Sequence, residues 1–417
     1  MQPVMAKIEA SVEEQMSVLM RGVEYGDPNI QRTMEEDLRE LLSTGRPLRV
    51  YAGFDPTFTG LTLGNLVPML KLRQFQRFGH EVTFLMGTMT AVIGDPSDKS
   101  SARQMLTTEQ VEANMQDWLT QAYRVLDPEK TIVRRNGDWL APLALKDVVD
   151  IASNFTVAQF LEHETFRNRM AEGKPLYIHE FIYALMQAYD AYTMETDVQV
   201  GGVDQLFNIM AGRQLQRAKG ERPLVAVCLP LLIGTDGHLK MSKSTGNSIL
   251  IDETPAEMYG KLMSIPDTLI TNYFTLLTDV PSQEIASIER GIEDNTLHPM
   301  ETKKRLARTI VALLHGEAAA DAAQGEFERV FQQGQQPEET QELPVVLNGD
   351  GSAEVDITLV LSEAGIAPSR SEARRLVQQG AISIDDVKTS DAQVELREGA
   401  IIKVGRHRFY KVTNADN

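Results

Sequence analysis

Two lysines three residues apart, Lys240 and Lys243, give the sequence its strongest chemical signal. They lie in a segment of small polar residues, with Gly237 before it and Gly246 after it. Glycines and short polar side chains favour turns and disfavour a packed helix or central strand. A loop of this composition can move two ammonium groups onto a polyphosphate. We therefore predict a phosphate-binding loop at residues 240–244; a solvated charged loop is the alternative.

Residues 55–65 form a second candidate, because they lie where an apolar strand ends and a helical pattern begins. Backbone N–H groups at a helix N-terminus attract phosphate. Thr57, Thr62 and Asn65 add short side chains that form hydrogen bonds, and Gly64 allows close approach of a ligand. Taken alone, the segment predicts either a nucleotide contact or a helix cap that binds no ligand.

Asp95 and the basic residues after it form a third candidate. A carboxylate at the end of a strand can bind an ammonium group of a ligand, and Lys99 and Arg103 could then face a phosphate. The alternative is a turn followed by a solvated basic pair.

Tyr183, Gln187 and Asp190 are spaced by four and three residues, which places them on one face of a predicted helix. A phenol, an amide and a carboxylate on an otherwise apolar helix are costly to bury without partners. The three residues therefore predict an enclosed pocket for a polar ligand, and a satisfied core network is the alternative.

The sequence Gly201-Gly202-Val203-Asp204-Gln205 is the last candidate. Its two glycines let the backbone approach a ligand closely. Asp204 is placed to accept a hydrogen bond from a ribose hydroxyl, as acidic residues do in nucleotide-binding sheets.

The hydrophobic pattern predicts the elements that must position these residues. Apolar strands are predicted at residues 49–54 and 82–86, with a helix between them that begins near Gly64 and ends at Gly79. Pro68 is expected in the first turn of that helix. This strand–helix–strand unit predicts an α/β fold with a Rossmann-type doubly wound parallel sheet, which binds ligands at the carboxyl ends of its strands.

The rest of the pattern predicts helices over most of residues 105–185, a buried strand at residues 225–233, and helices again up to residue 340. A basic helix and a hairpin near the C-terminus predict a small α+β module. The domains expected along the chain are an N-terminal helical segment (1–45), a Rossmann-type domain (46–250) with a helical insertion at about 115–185, a helical domain (251–340), a linker (341–354) and the α+β module (355–417).

Length and composition exclude several classes of protein. The formal net charge of −18 over 417 residues argues against a general polyanion binder, although local basic patches can still bind a specific RNA. No apolar run reaches the ~18 residues of a membrane span, and the N-terminus lacks the apolar core of a signal peptide. Cys228 is the single cysteine, and the histidines show no metal-ligand spacing. We therefore expect a cytoplasmic protein without a structural metal or membrane contact.

Several of these motifs also match one family. Residues 240–244 read Lys-Met-Ser-Lys-Ser, the KMSKS signature of class I aminoacyl-tRNA synthetases. Thr62-Leu63-Gly64-Asn65 stands where that class carries its HIGH signature, with both histidines replaced. The chain resembles the bacterial tyrosyl-tRNA synthetases over about residues 45–412. The most specific matches are Tyr-Ala-Gly-Phe-Asp-Pro-Thr at residues 51–57 and the trio of Tyr183, Gln187 and Asp190 on one helix. The C-terminal module resembles the alpha-L RNA-binding module of a ribosomal small-subunit protein.

The resemblance implies a role for each matching residue. The residues it places on tyrosine are Tyr51, Asp95, Tyr183, Gln187, Asp190 and Gln205. Those it places on ATP are Gly53, Asp55, Gly64, Asn65, Asp204, Met241 and Lys243. The catalytic residues that the resemblance implies, which would bind the ATP phosphates, are Thr57, Thr62, Lys99, Arg103, Lys240 and Lys243. Those it places on RNA are Arg370, Arg374 and Arg375. Because Thr62 and Asn65 replace two histidines, the basic side chains must carry most of the charge stabilisation.

The activity implied is that of a tyrosine–tRNA ligase, which uses ATP as a substrate, with Mg²⁺ expected on the ATP, and no permanently bound cofactor. The implied partners are L-tyrosine, ATP, tRNA(Tyr) and a second copy of the chain, in a homodimer formed through the helical insertion. Two alternatives stay open: a related enzyme that passes an activated amino acid to another acceptor, and a non-catalytic RNA-binding protein on the same scaffold.

Overall fold

The computed structural model describes residues 8–95, 107–162, 164–332, 341–367, 369–385, 387–405 and 408–415. The chain divides into two compact units, residues 1–320 and 321–417. The boundaries predicted at residues 45/46 and 250/251 both fall inside the first unit. No helix in the described ranges is long and apolar enough to cross a membrane.

A five-stranded sheet forms the centre of the first unit. Its strands are β1 (Arg49–Phe54), β2 (Glu81–Met86), β3 (Thr131–Arg135), β4 (Val198–Gly202) and β5 (Val225–Leu229). The strand order is β3-β2-β1-β4-β5, and every neighbouring pair is parallel. The doubly wound parallel sheet predicted from the sequence is therefore confirmed. The strand order reverses between β1 and β4, and such a switch point opens a crevice at the carboxyl ends of the strands.

Helices surround this sheet and continue after it. They are α1 (Val12–Leu19), α2 (Pro28–Ser43), α3 (Leu63–Phe78), α4 (Thr90–Ile93), α5 (Thr108–Ala122), α6 (Gly137–Leu140), α7 (Leu145–Ala152), α8 (Val157–Leu161), α9 (Glu164–Ala171), α10 (Ile178–Thr193), α11 (Leu206–Ala218), α12 (Pro255–Ser264), α13 (Ile270–Leu277), α14 (Ser282–Glu293), α15 (Pro299–His315) and α16 (Glu317–Phe327), with a π-helical turn at Glu328–Gln332. The helices predicted after the fifth strand are confirmed by α12 to α16.

Helix α3 begins at Leu63, as predicted, but Pro68 lies inside the helix. Thr62 caps the N-terminus, and Gly79 ends the helix in the left-handed conformation with φ of 90°. Pro68 is the sixth helical residue, so the expectation that it occupies the first turn was wrong. A proline is best tolerated in the first turn of a helix, but the cap at Thr62 makes α3 begin at Leu63, more than one turn before Pro68. Inside the helix, the proline lacks the N–H that would donate to a carbonyl of the preceding turn.

Strand β3 lies inside the segment predicted to be mainly helical. It pairs in parallel with β2 at the edge of the sheet. Its sequence, Thr-Ile-Val-Arg-Arg, holds only two apolar residues, and none of the five is fully buried. An edge strand of this kind lacks the continuous apolar run of a central parallel strand, so the pattern did not predict it.

After α16 and the π-helical turn, the described part of the second unit combines two further helices with two sheets. Its elements are β6 (Gln341–Val345), β7 (Ser352–Asp356), α17 (Ile357–Glu363), α18 (Arg370–Gln378), β8 (Ile382–Ile384), β9 (Val387–Thr389), β10 (Gln393–Arg397), β11 (Ile401–Val404) and β12 (Arg408–Asn414). The larger sheet has the order β6-β12-β11-β8-β9, and β10 pairs with β7. The basic helix and the hairpin are confirmed. Residues 341–345, predicted as linker, instead pair with β12, because Leu343 and Val345 enter the core of this unit.

Candidate active site

The predicted site residues of the first unit meet in one cavity of about 690 Å³. It opens where β1, β4 and β5 end, at the switch point of the sheet. The predicted residues that line it are Tyr51, Gly53, Asp55, Thr57, Thr62, Gly64, Asn65, Asp95, Tyr183, Gln187, Asp190, Asp204, Gln205, Lys240, Met241 and Lys243. Lys99 and Arg103 lie outside the described residues.

One end of the cavity holds a phenol and a carboxylate that are both deeply buried. Tyr51 on β1 and Asp190 on α10 are each 2% exposed. The Tyr51 hydroxyl has no hydrogen-bond partner among the described residues. Asp190 accepts hydrogen bonds from Asn136 Nδ2 at 3.1 Å and from Trp139 Nε1 at 2.7 Å. This end therefore offers an oriented acceptor and an unpaired hydroxyl to a ligand.

Burial sets the protonation of both groups. It raises the pKa of Asp190 to about 8, although the hydrogen bonds from Asn136 and Trp139 act in the opposite direction. Burial also holds the pKa of Tyr51 well above its ordinary value, and the charge of Asp190 adds to that rise. Tyr51 therefore remains a neutral hydroxyl that can donate a hydrogen bond at any physiological pH.

Asp55 lines the cavity and connects helices α4 and α10. Its carboxylate accepts from Thr90 Oγ1 at 2.7 Å and from the Tyr183 hydroxyl at 2.9 Å. Gly87 makes room for it, since a Cβ at that position would lie 1.9 Å from Asp55 Oδ1. Thr90 also accepts from Asn136 Nδ2 at 3.0 Å, so one hydrogen-bonded network joins Asp55 to Asp190.

A second polar group forms beside β4. Gln205 Nε2 donates to Asp95 Oδ2 at 2.5 Å, and Asn208 Nδ2 donates to Gln205 Oε1 at 3.1 Å. Burial raises the pKa of Asp204 to about 6, with a further contribution from the charge of Asp95. Two carboxylates so close together suit a ligand that brings a cation or hydroxyl donors to them.

Thr62 and Asn65, which replace the signature histidines, hydrogen-bond to each other at the start of α3. Asn65 Oδ1 accepts from the Thr62 backbone N–H at 3.0 Å and from Thr62 Oγ1 at 2.9 Å. Thr62 Oγ1 in turn accepts from the Asn65 backbone N–H at 3.4 Å. This reciprocal cap uses the Thr62 hydroxyl within the helix terminus. Both side chains nevertheless line the cavity.

The lysine loop is organised by the side chain of Asn247, which is only 3% exposed. Asn247 Nδ2 donates to Asp236 Oδ2 at 3.0 Å and to the Lys240 carbonyl at 3.2 Å. Its Oδ1 accepts from the Ser242 backbone N–H at 2.9 Å. The loop is therefore tied at its base, while both lysine side chains reach the cavity.

Each lysine of the loop points toward a different part of the site. Lys243 Nζ donates to the Thr59 carbonyl and lies 4.8 Å from the centre of the Phe58 ring. Burial lowers the pKa of Lys243, opposed by the charges of Asp252 and Asp117. Burial likewise lowers the pKa of Lys240, opposed by the charge of Asp95.

Sequence reasoning missed Asn136, Trp139 and Thr90, which hold the carboxylates of Asp55 and Asp190 in place. Asn136 and Trp139 follow directly after β3, the strand that the hydrophobic pattern did not predict. A polar turn after a recognised strand would have marked them as residues at the ligand-binding edge of the sheet. Thr90 lacked any such signal.

In the second unit, the three predicted RNA contacts differ in their surroundings. Arg370 pairs with Asp356 at 2.5 Å, and Arg375 pairs with Glu372 at 2.6 Å. Arg374 is exposed and has no ion pair with any described residue. Of the three, Arg374 is therefore the most available to an external phosphate.

Comparisons with known proteins agree with this geometry. The family described as class I tRNA synthetases (W and Y) matches residues 43–332, and the S4 domain family matches residues 358–402. The tyrosine–tRNA ligase of Moorella thermoacetica is 44% identical over 97% of both chains. That of Geobacter sulfurreducens is 43% identical over 97% of this chain and all of its own.

Solved structures share the fold. The truncated mitochondrial tyrosyl-tRNA synthetase of Aspergillus nidulans has a TM-score of 0.61 and 25% identity, and the match covers 78% of this chain and 95% of that one. The tyrosyl-tRNA synthetase of Archaeoglobus fulgidus, solved with L-tyrosine, has a TM-score of 0.59 and 22% identity over 76% of this chain and all of that one. Family match, extended identity and fold agree: the chain belongs to the tyrosine–tRNA ligase family of class I tRNA synthetases.

Proposed function

We propose that the protein activates L-tyrosine with ATP to form tyrosyl-adenylate, and then transfers the tyrosyl group to the 3′ end of tRNA(Tyr). The observation that carries this proposal is the buried pair of Tyr51 and Asp190. Asp190 is oriented to accept a hydrogen bond from a phenol, and the unpaired Tyr51 hydroxyl can donate to the same oxygen. A phenylalanine in this position would leave buried polar groups unsatisfied, which is how such sites reject it.

In the first step, the tyrosine carboxylate attacks the α-phosphate of ATP and pyrophosphate leaves. The chemistry needs no side-chain nucleophile, so the protein contributes positioning and stabilisation of the charge on the leaving group. Asp95, Tyr183 and Gln187 would hold the α-ammonium group of tyrosine, and Gln205 would lie near its carboxylate. Asp204 would accept from the ATP ribose.

The phosphates would then lie between α3 and the lysine loop, where Lys240 and Lys243 neutralise the developing charge. Lys99 and Arg103 would contribute further positive charge, and Mg²⁺ would accompany ATP, held by its phosphate oxygens. In the second step, the 3′ ribose hydroxyl of the tRNA attacks the acyl carbon of the adenylate, and AMP leaves.

A homodimer is proposed because large apolar side chains are exposed on the helical insertion. Leu145 and Ile178 are each 79% exposed in the single chain, and Val149, Val157 and Tyr177 are exposed as well. A cluster of this kind marks a protein interface. Sedimentation of the wild type beside a Leu145→Asp, Ile178→Asp variant would test it, and an unchanged mass would exclude this face.

The experiment that tests the activity is tyrosine-dependent exchange between ATP and pyrophosphate, followed by charging of total tRNA. Activity in both assays is expected. Exchange without charging would indicate that another acceptor takes the activated amino acid. The lack of both activities would contradict an enzymatic function.

We further propose that α18 contacts tRNA phosphates chiefly through Arg374. Replacement of Arg374 by Ala should weaken tRNA binding uniformly and lower the slope of log affinity against log salt by about 1. Arg375→Ala is the matched control, because Arg375 is already paired with Glu372 and should change the slope less. Equal salt slopes for both variants and the wild type would show that α18 does not contact the tRNA phosphates.

A further inference from the structure

One face of α5 holds the backbone of the loop that joins β1 to α3. The side chains involved are spaced by three, one and three residues, which places them on the same side of the helix. We call this group the clamp face: Asn114, Asp117, Trp118 and Gln121. Trp118 and Gln121 are 2% and 4% exposed, so the contacts are shielded from water.

Each member of the clamp face bonds to a different backbone group of the loop. Asn114 Nδ2 donates to the Pro56 carbonyl at 2.9 Å, and Trp118 Nε1 donates to the Phe58 carbonyl at 2.7 Å. Asp117 Oδ2 accepts from the Gly60 N–H at 2.6 Å. Gln121 Oε1 accepts from the Leu61 N–H at 2.8 Å.

The four contacts also support one another. Gln121 Nε2 donates to Asp117 Oδ2 at 2.9 Å, which joins two members of the clamp face. Gly60 adopts a φ of 70°, a conformation that a residue with a side chain rarely takes. The loop has no regular secondary structure, so these side chains supply hydrogen bonds that a sheet or helix would otherwise provide.

The same loop receives the ammonium group of Lys243. Lys243 Nζ donates to the Thr59 carbonyl and lies over the Phe58 ring, and a Cβ on Gly60 would come within 3.1 Å of Nζ. Thr59 thus lies between two residues whose backbone is held by α5. The clamp face therefore acts on the lysine through the loop backbone and through the charge of Asp117.

We propose that the clamp face is a positioning element for the phosphate end of the cavity. It holds residues 56–61 in the conformation that places Thr57 beside the ligand and that receives Lys243. The inference rests on the proposed activation of tyrosine by ATP. The members of the clamp face are positioning residues, since they act through the loop backbone and through Lys243.

The test compares Gln121→Ala with Gln116→Ala in tyrosine-dependent exchange. Gln116 lies on the exposed side of α5, so both variants make the same change in the same helix. We expect Gln121→Ala to lower kcat/KM for ATP by about tenfold, because a buried N–H loses its acceptor. The dissociation constant for tyrosine, measured by calorimetry, should stay at the wild-type value in both variants.

A second pair of variants keeps the test decisive if Gln121→Ala folds poorly. Asp117→Ala removes the acceptor for the Gly60 N–H, and Asp117→Asn keeps an acceptor oxygen in the same place. We expect kcat/KM for ATP to fall in Asp117→Ala and to be rescued in part in Asp117→Asn, which restores the acceptor for the Gly60 N–H but not the charge that acts on Lys243.

Three results would overturn the inference. They are a Gln121→Ala or Asp117→Ala variant that behaves like Gln116→Ala, a parallel loss of tyrosine affinity, and an Asp117→Asn variant as damaged as Asp117→Ala. A wild-type protein without exchange activity would instead overturn the proposed function, so the two failures are distinguishable.

Discussion

The two ends of the cavity are built in opposite ways. At the tyrosine end, Tyr51 and Asp190 belong to a strand and a helix and are almost wholly buried. At the phosphate end, Lys240 and Lys243 belong to a loop that is tied at its base by Asn247. Recognition of a phenol requires polar groups that do not move, because their misfit with the wrong substrate is the source of selectivity. Stabilisation of a leaving pyrophosphate requires charges that can close over ATP and withdraw from the product.

The energetic terms at the two ends differ accordingly. A buried polar group left without a partner costs ~1–3 kcal/mol, so a bound ligand that lacks the phenol oxygen would incur this cost at Tyr51 and Asp190. The contact of Lys243 with a carbonyl and an aromatic ring is partly open to water and can be exchanged for phosphate at little cost. Selectivity thus depends on polar groups that the wrong ligand leaves unsatisfied, whereas charge stabilisation depends on charges that can change partners.

The largest effect is expected at the phosphate end. Lys243→Ala should lower the rate of adenylate formation by ~10²–10³, because one charged donor to the transition state is lost. Tyrosine affinity should stay unchanged, since the phenol site lies on other elements. Pyrophosphate exchange and calorimetry measure the two quantities, and unchanged exchange would contradict the role of the loop.

The next effect is expected at the tyrosine end. Asp190→Ala should weaken tyrosine binding by about a hundredfold, because a buried hydrogen bond to the ligand is lost and the donors Asn136 and Trp139 lose their acceptor. Trp139→Phe, which removes one donor to Asp190, should have a smaller effect in the same direction. Wild-type affinity in the Asp190 variant, measured by calorimetry, would show that the residue is structural.

A smaller change at Tyr51 separates binding from stability. Tyr51→Phe should lower tyrosine affinity by about tenfold and change the melting temperature of the free protein little, since no described residue forms a hydrogen bond with the Tyr51 hydroxyl. Thermal unfolding with and without tyrosine measures both. A lower melting temperature without tyrosine would mean that the hydroxyl has a partner in the free protein.

The last expected effect is a pH dependence of stability. Burial raises the pKa of Asp190 from 3.8 to about 8 in the folded protein, so the folded state binds a proton that the unfolded state releases. The contribution of Asp190 to stability is therefore present below about pH 4 and is lost as the pH rises to about 8.

Asp190→Asn lacks this titration and provides the comparison. Denaturant unfolding at roughly pH 5 and pH 8 should show that the wild type loses stability relative to the variant at the higher pH. A constant difference between the two proteins would mean that Asp190 is ionised throughout this range.

The sequence was most informative where chemistry and periodicity are local. The trio on α10 and the lysine loop could be predicted because their side chains lie within a few residues of each other. The partners of those groups could not. Trp139 is 51 residues away from Asp190, and Trp118 is 60 residues away from Phe58. Contacts over such distances depend on how helices pack against the sheet.

The sequence was enough to predict the parallel α/β fold, a phosphate-binding loop and the residue types of a tyrosine site, because helix and strand periods and turn residues are properties of consecutive positions. The packing of distant segments was needed to show that Asn136 and Trp139 hold Asp190, that the Tyr51 hydroxyl bonds to no described residue, and that α5 holds the loop before α3. It was also needed to show that Arg370 and Arg375 are paired within their unit, while Arg374 forms no ion pair with a described residue. Burial and hydrogen-bond partners arise only when distant segments pack together, and these two properties set the charge and the selectivity of the site.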